Sequence, residues 1–310
     1  MIVVAGEALI DLVPVSQEGG GGVGDSGLPA LAPRLGGGPF NTAVALGRLG
    51  SPVAFCSRLS RDPYAEALLD GLRDARVDVS YVQRGEEPST LAVASIGTDG
   101  SAGFAFYAGG TADRLFAVPE RLPEDTRAMT FGTCSLVLEP GASAYEELMR
   151  REAERGVFTL LDPNIRTSII QDADAYRARF RSWLAHTGLL KLSVEDAEWL
   201  GGSPREWAAA GPAAVVVTRG GDGLTVVTRD GAEYSVPGTK VDVVDTIGAG
   251  DTVNAALLHR LADHDALSKK AVAALGREDW LDILGFAARA AAVTCSRPGA
   301  EPPYAHEIEN

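Results

Sequence analysis

Short apolar runs alternate with helical patterns along most of the second half of this chain. The apolar runs lie at 128–138, 157–161, 188–192 and 213–218, and helical patterns separate them at 145–155, 194–200 and 204–210. Strands that alternate with helices form a mostly parallel sheet, because each helix returns the chain to the same edge. Helices then cover both faces of the sheet. The predicted fold class is therefore α/β, with further helices at 252–262 and 278–295.

The N-terminal third follows a different pattern. Helical patterns at 41–49 and 64–75 stand among apolar runs at 90–96 and 103–107. These runs flank Thr98-Asp99-Gly100, and an Asp-Gly pair supplies the positive φ that a tight hairpin turn needs. Another strand is expected after Asp11. The pattern predicts a small β-sheet lid, built from segments near 12–35 and 90–107, over the body of a single domain that spans 1–310.

Composition limits the partners of this chain. The formal net charge is -14, from 42 acidic against 28 basic residues, which disfavours a nucleic acid or an anionic membrane. A local group of backbone amides can still bind an anionic nucleotide. The three cysteines, Cys56, Cys134 and Cys295, are far apart and indicate a reducing compartment. No basic leader and no apolar run of membrane-spanning length is present, so a cytoplasmic location is expected.

The segment 22–27, G-V-G-D-S-G, matches the dinucleotide-binding pattern G-x-G-x-x-G. That pattern has meaning only between a strand and a helix, whereas Pro29 and Pro33 follow it here. We interpret the match as accidental, so a dehydrogenase is not expected. The chain also lacks the G-x-x-x-x-G-K-[ST] pattern, and any nucleotide is held by other means.

The segment 245–251, D-T-I-G-A-G-D, stands directly before the helical pattern at 252–262. Small residues at a helix start leave backbone N–H groups free to point at one spot, where the helix dipole adds positive charge. Such a spot binds a phosphate or a developing anion, and Asp251 beside it can act as a general base, as phosphoryl transfer requires. The alternative is a glycine-rich turn with an acidic residue in the first helical turn. These residues alone leave both interpretations open.

Polar residues also follow other predicted strands. Asp11 lies at the carboxyl end of the first strand, where a carboxylate can accept hydrogen bonds from two sugar hydroxyls. The glycines at 36–38 precede Asn41, which is either a helix N-cap or a ligand contact. The segment 162–166, D-P-N-I-R, ends a buried strand and contains Asn164 and Arg166, of which the arginine can orient a hydroxyl, a carboxylate or a phosphate.

Two further strand ends carry candidates for a phosphate site. The segment 218–223, T-R-G-G-D-G, can offer a hydroxyl and backbone N–H groups to a phosphate chain, and it also suits a hairpin turn into 224–228. Lys191 and Ser193 end another strand. Ser193 with the acidic residues after it is equally explained as a helix start.

The segments at 36–43, G-G-G-P-F-N-T-A, and at 245–252, D-T-I-G-A-G-D-T, resemble the two motifs of the ribokinase-like sugar kinases, also called the PfkB carbohydrate kinases. The resemblance covers nearly the whole chain. It implies a three-layer α/β/α sandwich with a mostly parallel central sheet and a small β-sheet lid. It also implies transfer of the γ-phosphoryl group of ATP to a sugar hydroxyl, with ATP and Mg²⁺ as cofactors.

The resemblance assigns roles to residues. Asp251 matches the family's catalytic base, and Gly248, Ala249 and Gly250 match its anion hole. The predicted sugar-binding residues are Asp11, Gly37, Asn41, Phe106, Asn164 and Arg166. The predicted ATP-binding residues are Lys191, Ser193, Thr218, Gly220 and Gly223.

Metal sites are implied in the same way. The family's metal-associated motif N-x-x-E falls at 193–196, where this chain has Ser and Asp, so Asp196 is predicted to recruit Mg²⁺ indirectly. Asp245 and Ile247 match a loop that binds a monovalent cation, K⁺. In relatives, the C-terminal segment near Ser296 and Gly299 completes that loop.

Segments at 6–12, 104–107, 110–113 and 162–166 resemble bacterial fructokinases, so fructose is the predicted acceptor. The alternative is 2-keto-3-deoxygluconate kinase, whose substrate carries a carboxylate. Relatives of both kinds often have Arg where this chain has Ala108, and the missing cation weakens the acid-sugar alternative more. A non-catalytic sugar or nucleotide sensor is a further alternative, which the intact G-A-G-D segment disfavours. An exposed lid edge also predicts a homodimer formed through the lid.

Overall fold

The computed structural model describes residues 1–15, 29–96 and 102–308. The pattern at 22–27 and the predicted hairpin turn at 98–100 lie outside the described residues. Within the described ranges, no helix combines the length and the apolar composition that a membrane crossing needs.

The described ranges contain the following strands. They are Ile2–Ala5 (β1), Leu9–Pro14 (β2), Leu31–Gly36 (β3), Val53–Ser60 (β4), Val82–Gly85 (β5), Leu91–Ile96 (β6), Ala102–Tyr107 (β7), Ala128–Gly132 (β8), Phe158–Asp162 (β9), Leu189–Ser193 (β10), Ala214–Thr218 (β11), Leu224–Thr228 (β12) and Glu233–Val236 (β13). The strands predicted at 157–161, 188–192 and 213–218 lie within one residue of these bounds.

A nine-stranded sheet forms the centre of the molecule, in the order β13-β12-β11-β10-β9-β8-β1-β4-β5. Strands from β11 to β5 are parallel, and β12 and β13 join the edge in antiparallel pairing. The inner parallel strands are buried on both faces, which explains continuous apolar runs such as I-V-V-A in β1. The predicted mostly parallel α/β sheet is confirmed.

A separate four-stranded sheet has the order β3-β2-β6-β7. It consists of two antiparallel hairpins, β2–β3 and β6–β7, joined by parallel pairing of β2 with β6. Its strands fall in the segments for which a lid is predicted. Its action as a lid stays a prediction.

Helices pack on both faces of the main sheet. They are Gly38–Arg48 (α1), Pro63–Asp74 (α2), Gly141–Glu154 (α3), Ala173–Trp183 (α4), Val194–Leu200 (α5), Pro204–Ala210 (α6), Ala249–Asp263 (α7), Lys269–Val272 (α8) and Arg277–Cys295 (α9). One apolar cluster lies under α1, α2, α7 and α9 and includes Phe55 and Trp280. A second lies under α3 to α6 on the other face and includes Phe180. Each large side chain buried in this way contributes about 1.5–3 kcal/mol, so both outer layers are held to the sheet.

The strand predicted at 128–138 is too long. β8 ends at Gly132, and Thr133–Leu136 forms a 3-10 turn in which Thr133 has a φ of 59°. The backbone N–H of Ser135 donates to the buried carboxylate of Glu7 at 2.9 Å instead of continuing a strand ladder. A contact with a residue distant in sequence therefore ends the strand.

Candidate active site

A cavity of about 330 Å³ separates the carboxyl-end edge of the main sheet from the four-stranded sheet. Open α/β sheets bind their ligands at this edge. The predicted site residues that line the cavity are Asp11, Gly37, Asn41, Phe106, Asn164, Arg166, Ile247, Gly248, Gly250 and Asp251. The structure thus brings the predicted base, two of the three predicted anion-hole residues and the predicted sugar-binding residues to one place.

Asp251 lies in the first turn of α7 and is only 7% exposed. Its carboxylate accepts a hydrogen bond of 2.9 Å from the Asn41 amide, and its backbone carbonyl accepts one of 3.3 Å from the Thr42 hydroxyl. Burial raises the pKa of Asp251 to about 6, the charge of Asp162 adds to that rise, and the Asn41 hydrogen bond opposes it. A carboxyl with this pKa is ionised at neutral pH and can accept a proton.

The N-terminus of α7 is where the anion hole is predicted. Gly248 is the N-cap and has a φ of 76°, and a Cβ at this position would lie 2.6 Å from the Ala300 Cβ, so only glycine fits. Gly250 follows in the first turn and lines the cavity. The N–H of Ala249 donates to the Thr246 carbonyl at 3.3 Å, so this amide is bound within the turn. Gly248 and Gly250 therefore present the better placed part of the predicted anion hole.

A buried ion pair lies behind this turn. Lys191, only 4% exposed, donates to the Asp162 carboxylate at 2.8 Å, and Asn254 of α7 donates to the same oxygen at 2.7 Å. Burial alone would lower the pKa of Lys191, but the charge and hydrogen bond of Asp162, with the charges of Asp196 and Asp251, together outweigh burial and raise it. A Cβ on Gly250 would lie 3.0 Å from the Lys191 Nζ, which places this cation against the anion hole.

Sequence reasoning missed part of this cluster. The sequence marks Asp162 as a polar strand end, but its contacts with Lys191 and Asn254 join three separate elements, β9, β10 and α7. The other oxygen of Asp162, Oδ1, is buried without a hydrogen-bond partner among the described residues. A buried acceptor of this kind is costly unless a ligand or water satisfies it. A polar residue at the end of a fully apolar strand was the available signal.

Asp11 differs from its predicted placement. The first strand ends at Ala5, and Asp11 lies in β2 of the four-stranded sheet, with its carboxylate on the cavity side. A side chain on Gly36 of the neighbouring β3 would overlap this carboxylate, so the glycine makes room for it. Burial raises the pKa of Asp11 to about 6, with a further rise from Asp251 and a decrease from Arg166.

The remaining sugar-site candidates form the outer wall of the cavity. Phe106 projects from β7 beside Phe104, with ring centroids 6.4 Å apart. Arg166 donates to the Asn164 side chain at 2.8 Å, and both residues line the cavity after the end of β9. Two aromatic rings, a cation and an amide therefore face the carboxylates across a space suited to a small polar molecule.

Glu7 is a cavity residue that sequence reasoning did not assign to the site. Its buried carboxylate accepts hydrogen bonds from the Thr133 hydroxyl and from the Ser135 N–H. Burial raises the pKa of Glu7 to about 7, and the charge of Asp113 also raises it. The signal in the sequence is an acidic residue two positions after an apolar first strand.

The predicted phosphate-binding residues lie along the adjacent strand ends. Ser193 and Thr218 are direct register partners in the parallel pair β10–β11, so their side chains emerge side by side. Gly220–Asp222 forms a 3-10 turn, and the antiparallel pairing of β11 with β12 confirms the predicted hairpin into 224–228. A polar edge therefore extends from Lys191 beside the cavity to Thr218.

Ser193 and Asp196 already have structural partners. They form a capping box at the start of α5, in which each side chain accepts the other's backbone N–H at 3.1 Å. The second Asp196 oxygen accepts the Ile165 N–H at 2.8 Å. The helix-start explanation therefore accounts for the positions of both side chains. Among the described residues, no cluster of three or more acidic, histidine or cysteine side chains could by itself hold a metal.

Asp245 joins the predicted cation loop to the C-terminal segment. Its carboxylate accepts the Ile247 N–H at 3.0 Å and the Gly299 N–H at 2.9 Å. The predicted partner segments of the loop are thus in contact.

The chain is similar in sequence and in fold to known proteins. The model of the family described as "pfkB family carbohydrate kinase" matches residues 1–307. A fructokinase of Rhizobium leguminosarum bv. trifolii is 38% identical over 286 residues, covering 90% of this chain and 85% of the relative. A structure of a fructokinase with bound ATP from Xylella fastidiosa has a TM-score of 0.85 and 26% identity, covering 99% of this chain and 96% of that one. A fructokinase from Vibrio cholerae O395, bound to fructose, ADP and a calcium ion, has a TM-score of 0.78 and 26% identity, with 96% and 94% covered.

Proposed function

The chain belongs to the pfkB family of carbohydrate kinases, and we propose that it is a fructokinase, which transfers the γ-phosphoryl group of ATP to a hydroxyl of fructose. The observation that carries the proposal is the buried carboxylate of Asp251 at the N-terminus of α7. It faces a cavity that also contains Asp11 and Asn41. A base, an anion site and hydroxyl-binding groups are the components that phosphoryl transfer to a sugar requires.

In the proposed mechanism, Asp11 and the other cavity carboxylates and amides hold the sugar by its hydroxyls. Asp251 accepts the proton of one hydroxyl while that oxygen attacks the γ-phosphorus in line with the leaving oxygen. The backbone amides at Gly248 and Gly250 and the ammonium of Lys191 stabilise negative charge on the transferring group. The low exposure of these groups strengthens the electrostatic contribution.

We assign the ATP phosphates to the strand-end groups at Lys191, Ser193 and the turn at 218–223. The X. fastidiosa relative binds ATP, and the V. cholerae relative binds fructose, ADP and a calcium ion. We propose Mg²⁺ as the ion used with ATP here, where it would neutralise phosphate charge. The unpartnered Asp162 Oδ1 fits this ion directly or through water, and Asp196 fits an indirect role because both of its oxygens already accept backbone N–H groups. We propose K⁺ at the loop of Asp245 and Ile247.

The four-stranded sheet is proposed to act as a lid within a single domain. Its inner face carries Phe104, Phe106 and Asp11, so closure over the sugar would exclude water and limit hydrolysis of ATP. On its outer face, Leu35 is 37% exposed and Tyr107 is 64% exposed. Such a face supports a homodimer formed through the lid, and light scattering by the full chain tests the assembly. A cytoplasmic location is proposed on the basis of three free cysteines and the use of ATP.

The alternative acceptor is 2-keto-3-deoxygluconate, and Arg166 on the cavity wall is the observation that favours it. A single arginine already bound to Asn164 is a weak carboxylate site. Ala108, where relatives often have Arg, is buried at 7% exposure and adds no second cation. Fructose therefore fits the described cavity better.

An ADP-release assay with fructose, 2-keto-3-deoxygluconate, ribose and adenosine tests the proposal. Fructose should give the highest kcat/KM. Binding of a sugar without turnover of any would instead support a non-catalytic sensor.

Asp251→Asn should lower kcat by roughly 10²–10⁴-fold with little change in ATP affinity, because the variant lacks only the general base. Asp174→Asn is the matched control, since Asp174 also lies in the first turn of a helix but is exposed and pairs with Arg177. Unchanged turnover in Asp251→Asn would remove this residue from the mechanism.

A further inference from the structure

The hairpin β6–β7, which carries Phe104 and Phe106, connects to the main body at two points. Residues 86–90 lead into β6, and residues from 108 onward lead out of β7 towards Asp113. These two crossings determine how the hairpin stands over the cavity. They contain a buried polar cluster that the proposed mechanism does not use.

The cluster consists of Thr90, Thr111 and Asp113, each 7% exposed or less. The Thr90 hydroxyl lies 2.6 Å from Asp113 Oδ1 and 2.7 Å from the Thr111 hydroxyl. The Thr111 hydroxyl donates to the same Asp113 oxygen at 2.7 Å. One carboxylate oxygen thus joins the entering strand to the leaving strand.

Backbone hydrogen bonds around the cluster also join the two crossings. The N–H of Ala112, on the leaving crossing, donates to the Pro88 carbonyl on the entering crossing at 3.0 Å. The carbonyl of Thr90 accepts the Ile10 N–H of β2 at 3.0 Å, which ties this point to the other hairpin. Arg114 donates to the Ala108 carbonyl at 3.1 Å and to the Glu139 carbonyl, and so anchors the leaving strand to the body.

The other hairpin has its own buried carboxyl at its base. Glu7 lies two residues before the start of β2 and accepts the Ser135 N–H of the body. Glu7 and Asp113 line one small cavity of about 10 Å³, so the anchors of both hairpins meet at one place. Burial raises the pKa of each carboxyl. Burying two acids at the base of the sheet lowers the stability of the fold, and hydrogen bonds that fix a required geometry would explain why both are present.

We propose that Asp113 is a positioning residue, which clamps the two crossings of the β6–β7 hairpin through Thr90 and Thr111 and so sets Phe104 and Phe106 over the acceptor cavity. The expected effect on KM rests on the proposed function, whereas the expected effect on hydrogen exchange does not. The clamp itself concerns the free protein. Asp113 does not line the acceptor cavity, and its effect would reach the reaction through the placement of the two rings.

Thr90→Val removes one hydroxyl and keeps the shape of the side chain, so it tests the clamp without a large cavity. We expect amide hydrogen exchange in β6 and β7 of the ligand-free full chain to accelerate about tenfold, as local opening becomes easier. We also expect KM for fructose to rise about tenfold while KM for ATP changes less than twofold. Thr111→Val should act in the same direction, and Asp113→Ala should have the largest effect.

Two further variants separate positioning from general stability. Thr90→Ser keeps the hydroxyl and should restore both exchange and KM to near the original values. Thr228→Val is the matched control, because Thr228 is also buried at 7% exposure and donates to a carboxylate, that of Asp230, but lies on β12. It should leave the exchange of β6 and β7 and the KM for fructose unchanged.

Wild-type exchange and KM in Thr90→Val would overturn the proposal, as would an equal rise in exchange throughout the chain. If Asp113→Ala does not fold, Thr90→Val and Thr111→Val still decide the matter. A protein without turnover of fructose would defeat the proposed function alone, since the exchange of the ligand-free protein would continue to test the clamp.

Discussion

At the scale of single residues, the proposed mechanism depends on how neighbours set the pKa of Asp251. Desolvation raises its pKa most, Asp162 raises it further, and Asn41, Lys191 and Arg166 lower it. The resulting pKa of about 6 leaves the carboxylate ionised near neutral pH but still able to accept a proton. Because Asn41 and Asp162 act in opposite directions, their removal should shift the pH dependence of activity in opposite directions.

Asn41→Ala should move the acid limb of kcat/KM for fructose to higher pH. The Asn41 hydrogen bond of 2.9 Å stabilises the charged form of Asp251, and its loss raises the pKa of the base. The base must be deprotonated, so activity then falls at a higher pH than in the unmodified protein. A pH profile from about pH 5 to about pH 8 measures the shift. An unmoved limb would mean that another group sets it.

Asp162→Asn should move the same limb to lower pH. The variant removes a negative charge that raises the pKa of Asp251 and leaves Lys191 without its ion-pair partner. Loss of Asp162 also lowers the pKa of Lys191, because burial is then less opposed, so the expected shift of the limb rests on the removed negative charge beside Asp251. We also expect kcat to fall, because Lys191 loses the contact that fixes it beside Gly250. A limb that moves upward would contradict this arrangement of charges.

At the scale of elements, the proposed anion site depends on the backbone conformation at the start of α7. Gly248 adopts a left-handed φ of 76° at this helix start, and Gly248 and Gly250 line the cavity. The end of β8 shows a related effect, since the Glu7 carboxylate takes over the Ser135 amide and stops the strand. Gly248 at the start of α7 and Glu7 beside the end of β8 thus each determine which backbone groups lie at the cavity.

Gly248→Ala should lower both the free energy of unfolding and kcat. The left-handed φ costs a side-chain-bearing residue about 1–2 kcal/mol, and the new Cβ also crowds Ala300. Gly201→Ala is the matched control, because Gly201 has a φ of 69° and nothing within 4 Å of the added Cβ. Gly201→Ala should lower the free energy of unfolding by a similar conformational contribution and leave kcat unchanged. Denaturant unfolding and the kinase assay measure the two effects, and equal kcat in both variants would argue against an anion hole at Gly248.

At the scale of the whole molecule, buried acids near the site make folding dependent on pH. Glu7, Asp11 and Asp251 have pKa values of about 7, 6 and 6, above their ordinary values of 4.5, 3.8 and 3.8. Between the ordinary pKa of each group and its pKa in the folded protein, the folded state therefore binds more protons than the unfolded state. Their contribution to stability is fully present at acid pH and is lost as the pH rises through the folded-state values.

The melting temperature should therefore rise by several degrees as the pH is lowered from about 8 to about 5.5. The net charge of -14 at pH 7 also decreases over this range, and the reduced repulsion acts in the same direction. Glu7→Gln removes the group with the largest rise and should flatten the dependence. Glu147→Gln changes the net charge equally at an exposed position and should leave the slope unaltered. Calorimetry across this range measures both slopes, and a melting temperature that falls with acidification would contradict the assignment.

Much of the fold was determined by the sequence alone. Alternation of apolar runs with helical periodicity identified β9, β10 and β11 within one residue, and caps and prolines set the bounds of α5 and α6 as predicted. The two glycine-rich segments indicated the family and the places of Asn41 and Asp251. These signals succeed because they are local. Helical periodicity and glycine-containing turns both depend on residues that are close together in the sequence.

Only the tertiary structure decided which groups meet. It placed Asp11 in the second sheet instead of on the first strand, brought Lys191, Asp162 and Asn254 into one buried cluster, and joined Thr90 to Asp113 across the base of the hairpin. The physical reason is distance along the chain. A hydrogen bond between β9 and α7 depends on strand order and packing, and no pattern within either segment encodes it.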